Sequence, residues 1–423
     1  MMICKSIHFR RSKRLVVYLV ISVFLLFCIQ KWNTWFGNPV EPAYTNSSEL
    51  PTRIQLTLGN DGLFSRNVSW QCGDSLANSY LLLVKTATTD TMTIQAEGKM
   101  TQTQGGKTVS YHVHLSGLTE GDYSYRVCTN GKFSNWFPFS IFGSDHFRFI
   151  FIGDIQDTIG GITGNLLRSI FQREKDAAFW ILGGDLIERP HDSFWNEYFS
   201  STDSIAQTVP MIACPGNHEY RKGIVYQLDE RFVYTFSYLI KSRSKDLAVF
   251  DTRFGHTHLI TLDSNCDSWK LLSQRKLLKE ALEKAHDAPW KIVIIHHPLY
   301  SVRGKFRHFL LRKLFDPLIR QYGVDLVLQG HEHCYARSIT KNDNNLLTTP
   351  VYIISHFSPK SYRIKYDQSY DRLGSGSRFY QTFDVTSDSL CMKTFTEEGL
   401  LFDHIRMVKG LDDVRVKEGK MDQ

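Results

Sequence analysis

The chain has eight cysteines but no Cys-x-x-Cys pair and no zinc-ribbon spacing, so a thiolate metal module is excluded. It also lacks a charge excess once its N-terminus is set aside. The formal charge is +7, but Lys5, Arg10, Arg11, Lys13 and Arg14 supply five of the 50 basic residues. The remaining 45 face 43 acidic ones. That near-neutral body implies no nucleic-acid partner. The first thirty residues contain no acid at all, and Leu15–Ile29 is apolar apart from Ser22. A basic start followed by such a run is the pattern of a secretory signal. No small-x-small cleavage site follows it, and Gln30-Lys31-Trp32 is a poor junction. Residues 1–30 are therefore expected to be a signal peptide or an uncleaved signal anchor. The protein would be exported, with any membrane contact made through this segment. Of the other cysteines, Cys72 and Cys128 could bridge two strands or stand as buried thiols.

What remains is ordinary for a folded protein, and 423 residues suffice for two domains. Residues 31–50 read as a linker. Residues 51–144 carry short alternating runs such as Ile54–Leu58, Val109–Leu115 and Tyr123–Cys128. Turn clusters such as Gly59-Asn-Asp-Gly62 and Gly105-Gly106 separate them. Short strands at close spacing predict a β-sandwich, and nothing in it gathers a ligand set. From Phe147 the pattern alternates between strand and helix, with helices expected near Leu166–Lys175, Phe194–Ser204, Trp269–His286 and Phe309–Gln321. This predicts an α/β domain over 145–407 with functional residues on loops after strand C-termini. The strands Val351–Ser355, Phe379–Val385 and Ser389–Thr396 lack helices between them and suggest a second sheet packed on the first. Residues 408–423 read as a frayed, charged tail.

Five segments carry the chemistry: Gly153-Asp-Ile-Gln156, Gly183-Gly-Asp185, Gly216-Asn-His-Glu219, Val293-Ile-Ile-His296 and Gly330-His-Glu-His333. Each follows an apolar run. Singly they are no more than turn signals. The spacings of 31, 32 and 35 residues, from 154 to 185, 185 to 217 and 296 to 331, are βαβ repeat distances. The side chains can then converge on one sheet edge. Together they offer enough oxygen and nitrogen donors for two metal ions that share one carboxylate.

This order of motifs resembles the calcineurin-like metallophosphoesterase superfamily. The stretch Gly330–Ser338 and the preceding sandwich, with Val109–Leu118 and Tyr123–Tyr125, resemble its purple acid phosphatase branch. The resemblance implies a four-layer α/β/β/α domain behind a fibronectin type III-like β-sandwich, and hydrolysis of a phosphorylated small molecule or nucleotide. Asp154 and His333 would hold one metal, Asn217, His296 and His331 the other, with Asp185 bridging. The ions would be two divalent cations, Fe, Mn or Zn. They would clamp phosphate oxygens and activate water for in-line attack. The resemblance further implies that His218 contacts phosphate and assists the leaving group. His297 and His308 are further catalytic candidates, the latter in a basic loop with Arg303, Lys305 and Arg307. His356 and Arg378 are weaker ones. Two positions depart from the branch. Gln156 stands where it has Gly and could offer an amide oxygen to the metal. Glu188 stands where it has the metal-binding Tyr, so a tyrosinate colour is not expected. Glu188 could replace that ligand or be a surface-loop acid.

Overall fold

The computed structural model describes residues 16–32, 37–43, 48–410 and 414–419, apart from 89, 104, 241–247, 342–343, 345 and 366–369. Residues 16–32 form a helix whose apolar side chains are exposed, for example Ile29 at 70%. Among the described residues no helix is long and apolar enough to cross a membrane.

The N-terminal sandwich follows from period-two patterning. In Gly121–Thr129, Tyr123, Tyr125 and Val127 are buried while Ser124 and Arg126 are half-exposed. One sheet is Thr52–Leu58, Arg66–Gln71, Lys107–Leu115 and Glu97–Gln102, all antiparallel. The facing sheet is built on Ser79–Lys85 and Gly121–Thr129. Trp70 stacks on Tyr111 at 5.7 Å between them. Cys72 and Cys128 are both buried as free thiols.

The second domain is four layers. Its first sheet runs through the parallel strands Phe147–Ile152, Ala177–Leu182 and Met211–Ala213. Its second has Thr257–Leu262, Trp290–Ile295, Leu326–Gln329 and Leu347–Ile354 in parallel. Alternation on these second-sheet strands separates two cores. Ile292, Ile294, Leu326 and Leu328 face the first sheet, whereas Val293, Ile295 and Val327 pack under the helices Ser268–Lys284 and Phe309–Gln321. The helices Thr163–Arg173 and Asp192–Ser201 cover the first sheet with Leu167, Ile170, Trp195 and Tyr198. Aromatic stacking binds the first sheet together: Phe149 lies 4.5 Å from Phe383 and 5.2 Å from Phe179.

Three sequence expectations are corrected. The late strands do not form one new sheet. Leu347–Ile354 joins the second sheet, whereas Phe379–Val385 pairs antiparallel with Phe147–Ile152 and brings Ser389–Thr396 into the first. The tail is not wholly frayed. Val414–Glu418 is an edge strand on Leu401–Lys409, because alternating Val414 and Val416 turn inward while Arg415 and Lys417 face solvent. The linker is partly a strap. Glu41 is 4% exposed, and it accepts from Arg231 Nη1 at 2.6 Å and from the Asp192 backbone N–H at 2.7 Å.

The two domains share one sheet, since Thr52–Leu58 runs parallel to Met211–Ala213. Arg53 pairs with Asp192 at 2.7 Å, and Tyr125 Oη donates to Gln207 O at 2.8 Å. Arg231, 1% exposed, also binds Asp229 at 2.7 Å, so it holds two buried carboxylates. Arg231→Ala is expected to destabilise the protein by about 3–5 kcal/mol, because the acids lose their cation. Denaturant unfolding checks this, and a loss below about 1 kcal/mol would contradict it.

Candidate metal centre

Each motif begins within four residues of a strand end. Asp154 follows Phe147–Ile152, Asp185 follows Ala177–Leu182, Asn217 follows Met211–Ala213, His296 follows Trp290–Ile295, and His331 follows Leu326–Gln329. Parallel registers within each sheet align those ends at one edge. The loops are strained to deliver the side chains. Asp154, Asp185, His308, His331 and His333 all have φ between 48° and 72°, five of the eight described non-glycine residues with positive φ. Such conformations cost of order 1–3 kcal/mol each and persist only where the surroundings enforce them. Two glycines make the crowding possible. Gly184 has φ 87°, and a Cβ at Gly216 would sit 2.1 Å from Asp185 Oδ1.

The donors fall into two sets. Ligand atoms of Asp154, Asp185 and His333 lie within 4.8 Å of one another, and so do those of Asp185, His296 and His331. Asp185 belongs to both. Its Oδ2 lies 3.3 Å from His296 Nε2. Asn217 Oδ1 completes the second set, 2.9 Å from His331 Nδ1 and 3.3 Å from His296 Nε2. His296 Nδ1–H donates to Gly183 O at 2.8 Å, and His333 Nδ1–H to Lys360 O at 3.1 Å. Those bonds fix the ring orientations and turn each Nε2 toward the carboxylates.

Gln156 joins the first set. Its amide nitrogen finds acceptors in the backbone oxygens of Asp185, at 2.8 Å, and Asp154, at 3.3 Å. The amide oxygen then occupies the position 3.5 Å from both Asp185 Oδ2 and His333 Nε2. Glu188 does not turn to the donors. Both its oxygens lie 2.6 Å from Lys360 Nζ.

The electrostatics suit cations. Burial pushes Asp154 well up, whereas His296 and His218 outweigh burial at Asp185 and hold it far below the usual carboxylate range. Burial lowers His296, but Asp185 and Asp154 override it and raise it to about 10. Burial takes His331 down to about 2 and His333 to about 4, so both offer neutral lone pairs. Two buried carboxyl groups, the neutral imidazoles of His331 and His333, the His296 ring and amide oxygens converge on two points and fit a pair of hard-to-borderline divalent ions, whose binding would displace the His296 proton.

Around these sets stand the other candidates. His218 Nδ1–H donates to Glu188 O at 2.6 Å, its backbone N–H donates to Asp185 Oδ1 at 2.9 Å, and its Nε2 lies 3.9 Å from Asp185 Oδ2. His297 and His308 form a third group with His331, again within 4.8 Å. His297 Nδ1 lies 3.0 Å from Ser264 Oγ. His356 packs behind His333 with ring centroids 5.6 Å apart, and Arg378 reaches Thr163, so neither joins the donor sets. In the basic loop, Arg303 stacks on Tyr362, whose ring is 4.4 Å from that of His333.

Glu219 lies within the third motif, where its position in the sequence assigns it no role. Its buried carboxylate accepts from the backbone N–H groups of Gly216, at 2.6 Å, Asp185, at 3.0 Å, Leu186, at 2.7 Å, and Ile187, at 3.3 Å. Burial and Asp185 raise it to about 7. It clamps the Asp185 loop to the Asn217 loop. Its sequence signal was an acid that no turn requires. Lys360 and Tyr362 had no signal, since their loop carries no motif.

Comparison with known proteins agrees with the geometry. Residues 147–335 match the calcineurin-like phosphoesterase family, and residues 51–141 match the purple acid phosphatase N-terminal domain. The chain carries a calcineurin-like phosphoesterase domain behind a purple acid phosphatase N-terminal domain. Among its relatives, purple acid phosphatase 23 of Arabidopsis thaliana is 25% identical over 356 residues, covering 69% of this chain and 75% of the relative. Purple acid phosphatase 18 of the same plant is 25% identical over 327 residues, covering 73% and 70%. A solved structure described as PhoD superposes with a TM-score of 0.61 at 13% identity, covering 90% of this chain and 94% of that one, which speaks to fold alone. These purple acid phosphatase relatives are phosphoesterase hydrolases, the enzyme class in which the two domains place this chain.

Asp185→Asn is expected to lower metal content from two ions per chain to one or none, with the circular dichroism spectrum unchanged. Elemental analysis of the purified variant checks this, and two retained ions would contradict the shared-ligand geometry.

Proposed function

We propose that this chain is an exported, binuclear metal-dependent phosphohydrolase acting on phosphate esters. The observation that carries the reading is the single Asp185 carboxylate common to two donor sets. Asp154, Gln156 and His333 would complete one site, and Asn217, His296 and His331 the other. Two bound cations would supply Lewis acidity toward phosphoryl oxygens and acidify water at neutral pH.

The chain's own residues would do the rest. The Asp185 carboxylate fixes the separation of the two sites, and the Glu219 clamp holds the loops that carry Asp185 and Asn217. His218 is tied through Nδ1–H to the Glu188 carbonyl, so its Nε2 is the atom that can exchange a proton with the leaving oxygen. At 24% side-chain exposure it stands at the mouth rather than behind the donors. His297 and His308 lie against His331 and could bind phosphoryl oxygens there. Export is supported by the basic start and the exposed apolar helix of residues 16–32.

The test is hydrolysis of a chromogenic phosphomonoester and a phosphodiester by residues 37–423, stripped of metal and then titrated with Mn, Fe or Zn. Turnover is expected to return with about two ions per chain, and His218→Ala is expected to lower kcat by about 10²-fold or more. Full turnover of the stripped protein, or two bound ions with no turnover on either ester, would contradict the proposal.

A further inference from the structure

A cavity of about 300 Å³ opens beside the donor sets, with Asn217 and His218 in its wall. The strap 38–41, the loop 188–191 and the loop 217–222 enclose it. Its charges do not cancel. Of its lining acids, Glu188 pairs with Lys360 and Glu41 with Arg231 and Arg221, and behind the wall Asp192 pairs with Arg53 and Asp229 with Arg231. Four acids thus meet four cations. Two further lining cations, Arg189 and Lys222, have no ion-pair partner among the described residues. Lys222 is nonetheless held in place. Its backbone N–H donates to Asn38 Oδ1 at 2.8 Å, and its carbonyl accepts from Asn38 Nδ2 at 2.7 Å. An unpaired cation on a pinned backbone at the edge of a cleft is prearranged for an anion, and prearrangement lowers the ordering cost of binding.

Simple phosphomonoester hydrolysis gives these two cations no task, because the scissile phosphate would sit at the donor sets. The cavity continues from His218, the residue assigned above to the leaving oxygen, so it lies on the leaving-group side. Its size is at the lower end for small-molecule sites. We infer that this cavity receives a second anionic group, phosphate or carboxylate, borne by the leaving group of the ester, with Lys222 and Arg189 as its ion-pair partners. The inference rests on the phosphohydrolase reading and narrows its substrate class. The strap ahead of the sandwich thereby becomes part of the substrate site.

The experiment compares the metal-loaded protein with its Arg189→Ala/Lys222→Ala double variant on three esters: phenyl phosphate, 1,3-propanediol bisphosphate and phosphoglycolate. Removing the cations is expected to raise KM for at least one of the two charged-leaving-group esters tenfold or more beyond any change for phenyl phosphate, with kcat largely kept. The ester that responds identifies phosphate or carboxylate as the second anion. Equal changes for all three esters, with the thermal midpoint preserved, would overturn the subsite while leaving the phosphohydrolase reading intact. No turnover of any of the three esters by the unmodified metal-loaded protein would overturn both. Asn38→Ala gives a separate check. Freeing the Lys222 backbone is expected to shift the same KM ratio in the same direction by a smaller factor, and a shift confined to phenyl phosphate would contradict it.

Discussion

The placement of one buried carboxylate, that of Asp185, governs this structure. Burying an anion is costly unless opposite charge and hydrogen bonds compensate it. Here His296 and the His218 backbone N–H do so on the carboxylate itself, and the Glu219 carboxylate receives the backbone N–H of Asp185 and its two successors. A second acid is therefore buried to hold the first in register. The loops follow from this. The residue between His218 and Tyr220 must be an acid, Gly216 must lack a Cβ, and Gly184 must adopt positive φ for the Asp185 loop to reach the Asn217 loop. The strained backbone at the donor residues is the local consequence. The rigidity that maintains it comes from close-packed sheets, above all the stacked phenyl rings of Phe149, Phe179 and Phe383.

The same constraint explains why the N-terminal sandwich is more than an appendage. Its strand Thr52–Leu58 extends the first sheet beyond Met211–Ala213, the strand that delivers Asn217. The strap before it reaches back through Glu41 and Asn38 to the loops that carry His191 and Lys222. The edge of the candidate metal centre is thus braced by residues that precede residue 60. A domain boundary drawn at residue 144 separates patterns in the sequence, but the hydrogen bonds cross it.

Much of this was legible because period and chemistry coincide. The sandwich, the α/β alternation and the five donor motifs each leave a local signal, either alternating hydrophobicity or a donor residue directly after an apolar run. The helix Phe309–Gln321 falls where its periodicity put it. What the sequence hid was non-local. Sheet membership of Phe379–Val385 depends on an antiparallel partner more than two hundred residues away. The strand Val414–Glu418 sits in a charged stretch whose two valines alone reveal it. Glu41 and Lys360 act through partners distant in sequence, and no local pattern marks such residues. Glu188 shows the limit most clearly. Its position in the motif left a metal role and a surface-loop acid both open, and Lys360 from an unmarked loop takes up both oxygens.

Where the purple acid phosphatase resemblance implies a tyrosinate, this chain has an ion pair beside its first donor set. Where it implies a glycine, this chain has Gln156, whose amide oxygen is turned toward Asp185 and His333. On the proposed binuclear reading, the first site would offer a neutral amide and no phenolate, which would favour divalent over ferric occupancy. The most direct test of the shared carboxylate is X-ray absorption on the manganese-loaded protein. The account expects a metal–metal vector of roughly 3.5–4 Å that disappears in Asp185→Asn. Two ions with no such vector, or a vector that survives the substitution, would contradict it.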